Sequence, residues 1–258
     1  MINKHIICLV LASLLAMACS NMVYSPGGDR NDNIDPPVSS SPIVGQRVCV
    51  VTVALDDKGQ VWFSYNGEKL RPFDFTYTRM MRALCELNIL EKQSPEDDYY
   101  PAEVIWAEPI DEGVFSINNV YDSTPPADGA PPLPHDGKDG SSGPGGNSAE
   151  NGLDVLVDSW ITSCEDAYLT IHYKTWWGKH PVHHDFYLVS GFDPIDPYTL
   201  VFQQDSHSDS HDELSEGIVC FDINNLPDTG AKAVTLTLKW TNTNGGEETA
   251  KFEFKTRK

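Results

Sequence analysis

Ala167-Tyr168-Leu169-Thr170-Ile171-His172-Tyr173-Lys174 decides the fold class. Large apolar side chains alternate with Thr, His and Lys, the period-two pattern of a strand with one face in a core. Working outward, the same texture returns in His184-Asp185-Phe186-Tyr187-Leu188-Val189, in Thr199 to Gln203, in Gly217 to Ile223, in Val234 to Thr241 and in Thr249 to Lys255. Turn residues separate these runs, and Asn244-Gly245-Gly246 is a strong hairpin signal. With Leu153 to Ile161 leading in, residues 153–258 read as a Greek-key, immunoglobulin-like β-sandwich.

Upstream of residue 122 the pattern is also β. Arg47 to Leu55 is β-branched and apolar, Gln60 to Tyr65 resumes, Asn66-Gly67 marks a tight hairpin, and Glu68 to Pro72 returns. Glu103 to Glu108 and Val114 to Val120 supply two more short strands. Tyr77 to Leu90 reads two ways. Met80, Leu84 and Leu87 fit a helical stripe, whereas Ala83, Cys85, Leu87 and Ile89 alternate as in a strand. Residues 43–121 therefore suggest a small OB-like barrel. Between the halves, residues 122–152 hold six prolines and seven glycines, which suggests a flexible linker that leaves the angle between two domains free.

The N-terminus carries an export signal. Lys4 and His5 precede the apolar run Ile6 to Leu15, too short to span a bilayer, and Ala16-Met17-Ala18 stands before Cys19. Small residues before a cysteine resemble the lipobox of bacterial lipoproteins, so residues 1–18 read as a signal peptide and Cys19 as the lipidated residue. Several acyl chains on one residue anchor firmly. Residues 19–42 are rich in Asn, Asp, Gly, Pro and Ser and read as a flexible tether. The formal net charge is −20, and Lys4 leaves with the signal. So acidic an exported body excludes nucleic acid as a partner.

Four further cysteines allow disulfides in an oxidising compartment, and the domain division pairs Cys49 with Cys85 and Cys164 with Cys220. The alternative is four thiols packed as small hydrophobes. The chain has no Gly-x-Ser-x-Gly elbow, phosphate-binding loop, dinucleotide fingerprint or His-Glu-x-x-His, and no cofactor is expected. Six of the eight histidines fall between His172 and His211. Of these, His183, His184, His207 and His211, interspersed with aspartates, are the candidate metal ligands. Against a metal, His207 and His211 lie in a Ser/Asp-rich loop, and His172 and His184 are placed on paired strands, where a cross-strand partner suffices. Trp176 and Trp177, at an expected hairpin tip beside Lys179 and His180, either stack on a ligand or cap the open end of the sandwich. Trp176, Trp177 and His180 are the candidate ligand-binding residues.

The order of motifs in the second half resembles the C-terminal sandwich of the NigD-like lipoproteins of Bacteroidetes. The order runs from Tyr168-Leu169-Thr170-Ile171 through the strand opening at His184 and the approach to His207. Gly217 to Ile223 and Leu236 to Lys239 follow, and Asn242 to Glu248 closes it. The resemblance implies a lipobox, an OB-type barrel and this sandwich, with no catalytic residues to carry over. Arg79 to Leu90 departs from the family's plainer strand. Taken together these features predict an outer-membrane lipoprotein, on either face, acting as a non-enzymatic binding module for a protein or glycan, and the resemblance further implies an association with bacteriocin production or immunity. The alternative is a metal-binding protein or metal-dependent hydrolase built on the His172–His211 cluster.

Overall fold

The computed structural model describes residues 43–73, 75–76, 81–117, 152–191, 196–230 and 232–257. The signal, Cys19, the tether and residues 122–151 lie outside them. The described residues contain strands and no helix, so no helix is long and apolar enough to cross a membrane.

Strands β1 (Gly45–Leu55), β2 (Val61–Tyr65), β3 (Glu68–Pro72), β4 (Met81–Ile89) and β5 (Tyr100–Pro109) close a barrel in the order β1-β2-β3-β5-β4. This is a five-stranded OB-type topology. Asn66 and Gly67 both have positive φ, as a two-residue hairpin loop with the sheet's own twist requires. Within the ambiguous segment, Met81–Ile89 is strand. Met81, Ala83, Cys85, Leu87 and Ile89 line the barrel with Cys49, Val51 and Val53 of β1. The alternate residues of both strands are also covered. Val48, Val50 and Leu84 pack outside the barrel against Ile161, Ile218 and Cys220 of the second half. Burial on both faces explains why β1 reads as a continuous apolar run.

The strand expected from Val114, and a short strand at Asp111–Glu112 that was not expected, belong to the second half instead. β6 (Asp111–Glu112) pairs in parallel with β13 (Glu213–Asp222), and β7 (Val114–Ile117) pairs in parallel with β11 (Asp185–Ser190). The remaining strands are β8 (Leu153–Val155), β9 (Ser163–Glu165), β10 (Tyr168–Trp177), β12 (Thr199–Asp205), β14 (Val234–Thr241) and β15 (Glu247–Phe254). One sheet runs β6-β13-β10-β8, with β9 also on β10, and the other runs β15-β14-β12-β11-β7. Their inner faces enclose a core of Leu169, Ile171, Leu188, Phe202, Phe221, Leu236 and Trp240 among others. The chain passes from one sheet to the other at Gly113. A side chain there would meet Phe221 at 2.2 Å, so only glycine fits the corner.

Three expectations about the halves therefore change. The barrel strands end at Pro109, not near 121. The Pro/Gly-rich segment joins β7 to β8, two strands of one sandwich, and is not an interdomain linker. Nor is the angle between barrel and sandwich free, because Arg82 of β4 is fully buried between them. Its guanidinium donates to Thr52 (2.8 Å), Thr170 (3.1 Å), Ser163 (3.3 Å) and Glu165 (3.1 Å), partners from both domains. A buried charge is tolerated only when paired and hydrogen-bonded to this extent.

The four cysteines among the described residues are unbridged in the structure. Cys49 and Cys85 are directly opposed on β1 and β4, with Sγ atoms 4.0 Å apart inside the barrel. Cys164 and Cys220 flank β10 opposite the adjacent residues Leu169 and Thr170. Adjacent strand residues face opposite ways, so Cys164 packs on the sandwich core and Cys220 in the interface with the barrel. A Cys164–Cys220 bridge is excluded by that geometry.

Candidate functional site

Trp176 and Trp177 do not sit at a hairpin tip. β10 continues through both, pairing Trp176 with Leu214 and Trp177 with Glu213. β11 lies in the opposite sheet, so His172 and His184 are not cross-strand neighbours. Trp177 turns inward and its ring lies 3.9 Å from that of His184, nearly parallel at 7°. His184 is buried and its Nε2 meets Asp209 Oδ2 at 3.2 Å. Burial holds the His184 imidazole below its ordinary pKa. Asp209 also accepts the backbone N–H of Gly178 at 3.0 Å, the main reason its carboxyl is held below the usual range, with His184 adding to it. The loop between β12 and β13 is thus tied to the end of β10.

The other named residues scatter. Trp176 stacks loosely on His211, ring centroids 6.2 Å apart. His183 and His207 approach the two oxygens of Asp185, at 3.2 Å and 2.8 Å. That hydrogen bond raises the pKa of His207. His180 is exposed. No group of three or more His, Cys, Asp or Glu among the described residues is arranged to hold a metal ion. Four of the six histidines that cluster in sequence pair with carboxylates, and the six are not assembled around one point.

Sequence reading missed a serine–histidine–glutamate chain on the barrel-facing side of β10. Ser159 Oγ lies 2.8 Å from His172 Nδ1, and His172 Nε2 lies 3.1 Å from Glu216 Oε2. With Ser O–H donating to Nδ1 and Nε2–H donating to the carboxylate, the polarity is that of a nucleophilic relay. The surroundings assign it another task. Ser159 Oγ accepts the N–H of Ile161 at 3.3 Å, His172 N–H donates to Thr162 Oγ1 at 3.1 Å, and Leu156 N–H donates to His172 O at 2.9 Å. His172 is clamped by the 156–162 turn through ring and backbone alike. Its pKa is lowered by burial, against the pull of Glu216.

A second missed feature is open. On β2 and β3, Phe63 opposes Leu70, and both side chains fill the barrel. Their neighbours Trp62, Lys69 and Arg71 therefore face outward. They meet Asp56 from the β1–β2 loop and Asp98 and Tyr99 from the β4–β5 loop in a shallow cleft of about 60 Å³. Lys69 Nζ lies 5.7 Å from the Trp62 ring centroid, and Arg71 Cζ lies 5.5 Å from that of Tyr99. Lys69 also pairs with Asp98 at 3.6 Å, and Arg71 donates to Gln60. Asp56 accepts the N–H groups of Gln60 (2.8 Å) and Lys58 (2.9 Å), which fixes the loop. The Gln60 bond is the first reason the Asp56 carboxyl sits below its ordinary range. Barrels of this strand order hold ligands on the same face and between the same two loops.

Residues 149–254 match the model of the NigD-like C-terminal beta sandwich domain. Residues 149–254 of this chain are thus a NigD-like C-terminal sandwich domain. Solved structures share the larger architecture. A candidate toxin-related protein from Parabacteroides distasonis is similar in fold, with a TM-score of 0.58 at 20% identity over 81% of this chain and 93% of that one. A protein of unknown function from Bacteroides vulgatus has a TM-score of 0.54 at 15% identity, covering 81% and 91%. A candidate lipoprotein from Bacteroides fragilis has a TM-score of 0.51 at 15% identity, covering 83% and 100%. No curated protein matches the sequence. The coverage shows that the fold of both halves together recurs in these structures.

Proposed function

We propose that this NigD-like protein is a non-catalytic binding module of the cell envelope, anchored to the outer membrane by acyl chains on Cys19. The observation that carries the binding role is the cleft on β2 and β3. Trp62 and Tyr99 stand there beside charged groups on the barrel side away from β1 and β4, the strands that pack on the sandwich. By contrast, the aromatic and acidic residues at the sandwich end are taken up in contacts with one another. The welded interface around Arg82 supports the reading further, since one rigid body presents the cleft at a fixed place relative to its tether. Anchoring rests on the small-residue stretch before Cys19 and the short apolar run ahead of it. The NigD-like family suggests that the partner belongs to bacteriocin production or immunity.

Two measurements test it. Cells fed an alkyne analogue of palmitate label the wild-type chain and fail to label Cys19→Ala, which leaves the membrane fraction. Labelling that persists in the variant overturns the anchor. Epitope-tagged protein binds saturably to envelopes prepared from its own host lacking the gene. Binding that rises linearly without saturation overturns the binding role.

A further inference from the structure

We infer that the barrel cleft is a carbohydrate site that takes an uncharged oligosaccharide. This rests on the binding role proposed above and names its ligand class. The side chains are of the two kinds a sugar needs. Trp62 and Tyr99 are half-buried rings, large flat surfaces held at little conformational cost. Between them stand two carboxylates, an ammonium, a guanidinium and the Gln60 amide. These alternate acceptors and donors, as a ring of hydroxyls does. Lys69 is not committed to a strong partner. Lys69 and Asp98 are exposed, their side chains 41% and 77% accessible, so their pairing is weak and can be exchanged for hydroxyl contacts.

Charge selects within the carbohydrates and against other polymers. Asp56 and Asp98 cancel Lys69 and Arg71, so the cleft has no local excess of positive charge in a chain of net charge −20. A polyanion, whether nucleic acid or polyuronate, therefore meets repulsion without compensation. An apolar ligand fares no better. The cleft is shallow, about 60 Å³, too small to enclose an acyl chain or drug-sized molecule. It suits one or two sugar units of a longer chain lying across the surface. The cleft's outer face also carries no part of the Arg82 interface, so an extended glycan reaches it unobstructed.

The test uses the full-length processed protein, epitope-tagged and held in a sugar-free detergent, on gene-deleted envelopes of its host. Periodate, which cleaves vicinal diols, is expected to abolish saturable binding. Neutral oligosaccharides released from the same envelopes by mild acid are expected to compete, and polygalacturonate is not. Trp62→Ala and Tyr99→Ala each weaken binding roughly tenfold, the loss of one ring platform, while Tyr99→Phe retains it. The thermal midpoint of each variant is measured alongside. If Trp62→Ala is destabilised, Tyr99→Ala, on a loop, carries the test. Undiminished binding to periodate-treated envelopes overturns the glycan class and leaves the binding role standing, as does preferential competition by polygalacturonate. Periodate-sensitive binding that neither ring variant weakens overturns this cleft as the site. Absence of saturable binding to untreated envelopes overturns the inference and the proposed function together.

Discussion

The two sides of the barrel use the same residue type in opposite ways. Arg82, on the β1–β4 side, is fully buried and hydrogen-bonded to four side chains drawn from both domains. Arg71, on the β2–β3 side, lies over Tyr99 at the rim of an open cleft. One guanidinium is spent on architecture and the other is available. An arginine's role is thus set by what covers it. The side of a small barrel that packs against a neighbour loses its binding capacity to that contact.

The largest effect that sharpens this contrast is on stability. Arg82→Ala leaves Glu165 and three hydroxyls without their partner and is expected to cost about 3–5 kcal/mol, with a fall of several degrees in Tm by differential scanning calorimetry. Arg71→Ala stays within about 0.5 kcal/mol of wild type, as exposed positions do. Equal losses at the two positions would break the comparison.

Next is the barrel interior between the two faces. Cys49 and Cys85 are opposed closely enough to be joined once oxidised, with an expected stabilisation of about 2–4 kcal/mol. The hydrogen bond to Cys49, and then burial, raise the Cys85 pKa well above its ordinary value, so the folded Cys85 thiol reacts slowly and the bridge forms while the barrel is closing. Intact-mass measurement before and after reduction should show one disulfide, mapped to Cys49–Cys85. Cys164 and Cys220, pushed by burial to about 12, should remain thiols.

Smaller still is the clamp on the barrel-facing surface of β10. Ser159→Ala removes one hydrogen bond to a buried imidazole, a loss of about 1–2 kcal/mol. A fluorophosphonate probe should leave the wild type unlabelled. Labelling that Ser159→Ala abolishes would make the relay a nucleophile and overturn the non-catalytic reading.

The gentlest test is pH. His172 and His184 both have pKa values lowered by burial from 6.5. As pH falls through 6.5 the unfolded chain binds protons that the folded chain still refuses, so stability is fully present above that point and declines below it. The lowered carboxyls of Asp209 and Asp212 act in the same direction at lower pH. Tm should fall between pH 7.5 and 5.5, and His172→Gln and His184→Gln should each flatten the slope.

What sequence could disclose followed from periodicity. The alternation at Tyr168–Tyr173 located β10, and Asn66-Gly67 located the β2–β3 hairpin. The run from Val48 to Val53 announced a strand but not that both of its faces are covered. β6 and β7 were illegible as sandwich strands because a short parallel edge strand has no turn linking it to its partner, and β11 lies about seventy residues downstream of β7. The paired tryptophans drew attention as a chemical curiosity, yet their pairing with Glu213 and Leu214 consumed the expected tip. The cleft was half legible. Trp62 alternates with Phe63, and Lys69 and Arg71 straddle Leu70, so an outward face was there to be read. Tyr99 and Asp98 join it only through the fold of a loop, which carries no periodic signal. Ser159 and Glu216 meet His172 for the same reason.

The corner at Gly113 also dictates an order of assembly. The barrel's five strands are contiguous in the chain and can close as soon as residue 109 is available. The next two strands, however, dock only onto Asp185–Ser190 and Glu213–Asp222, which are synthesised much later. Until then a finished barrel trails a pair of unsatisfied strands, and a chain cut after residue 121 would carry them permanently. That interval is when this protein is most open to pairing with the wrong neighbour.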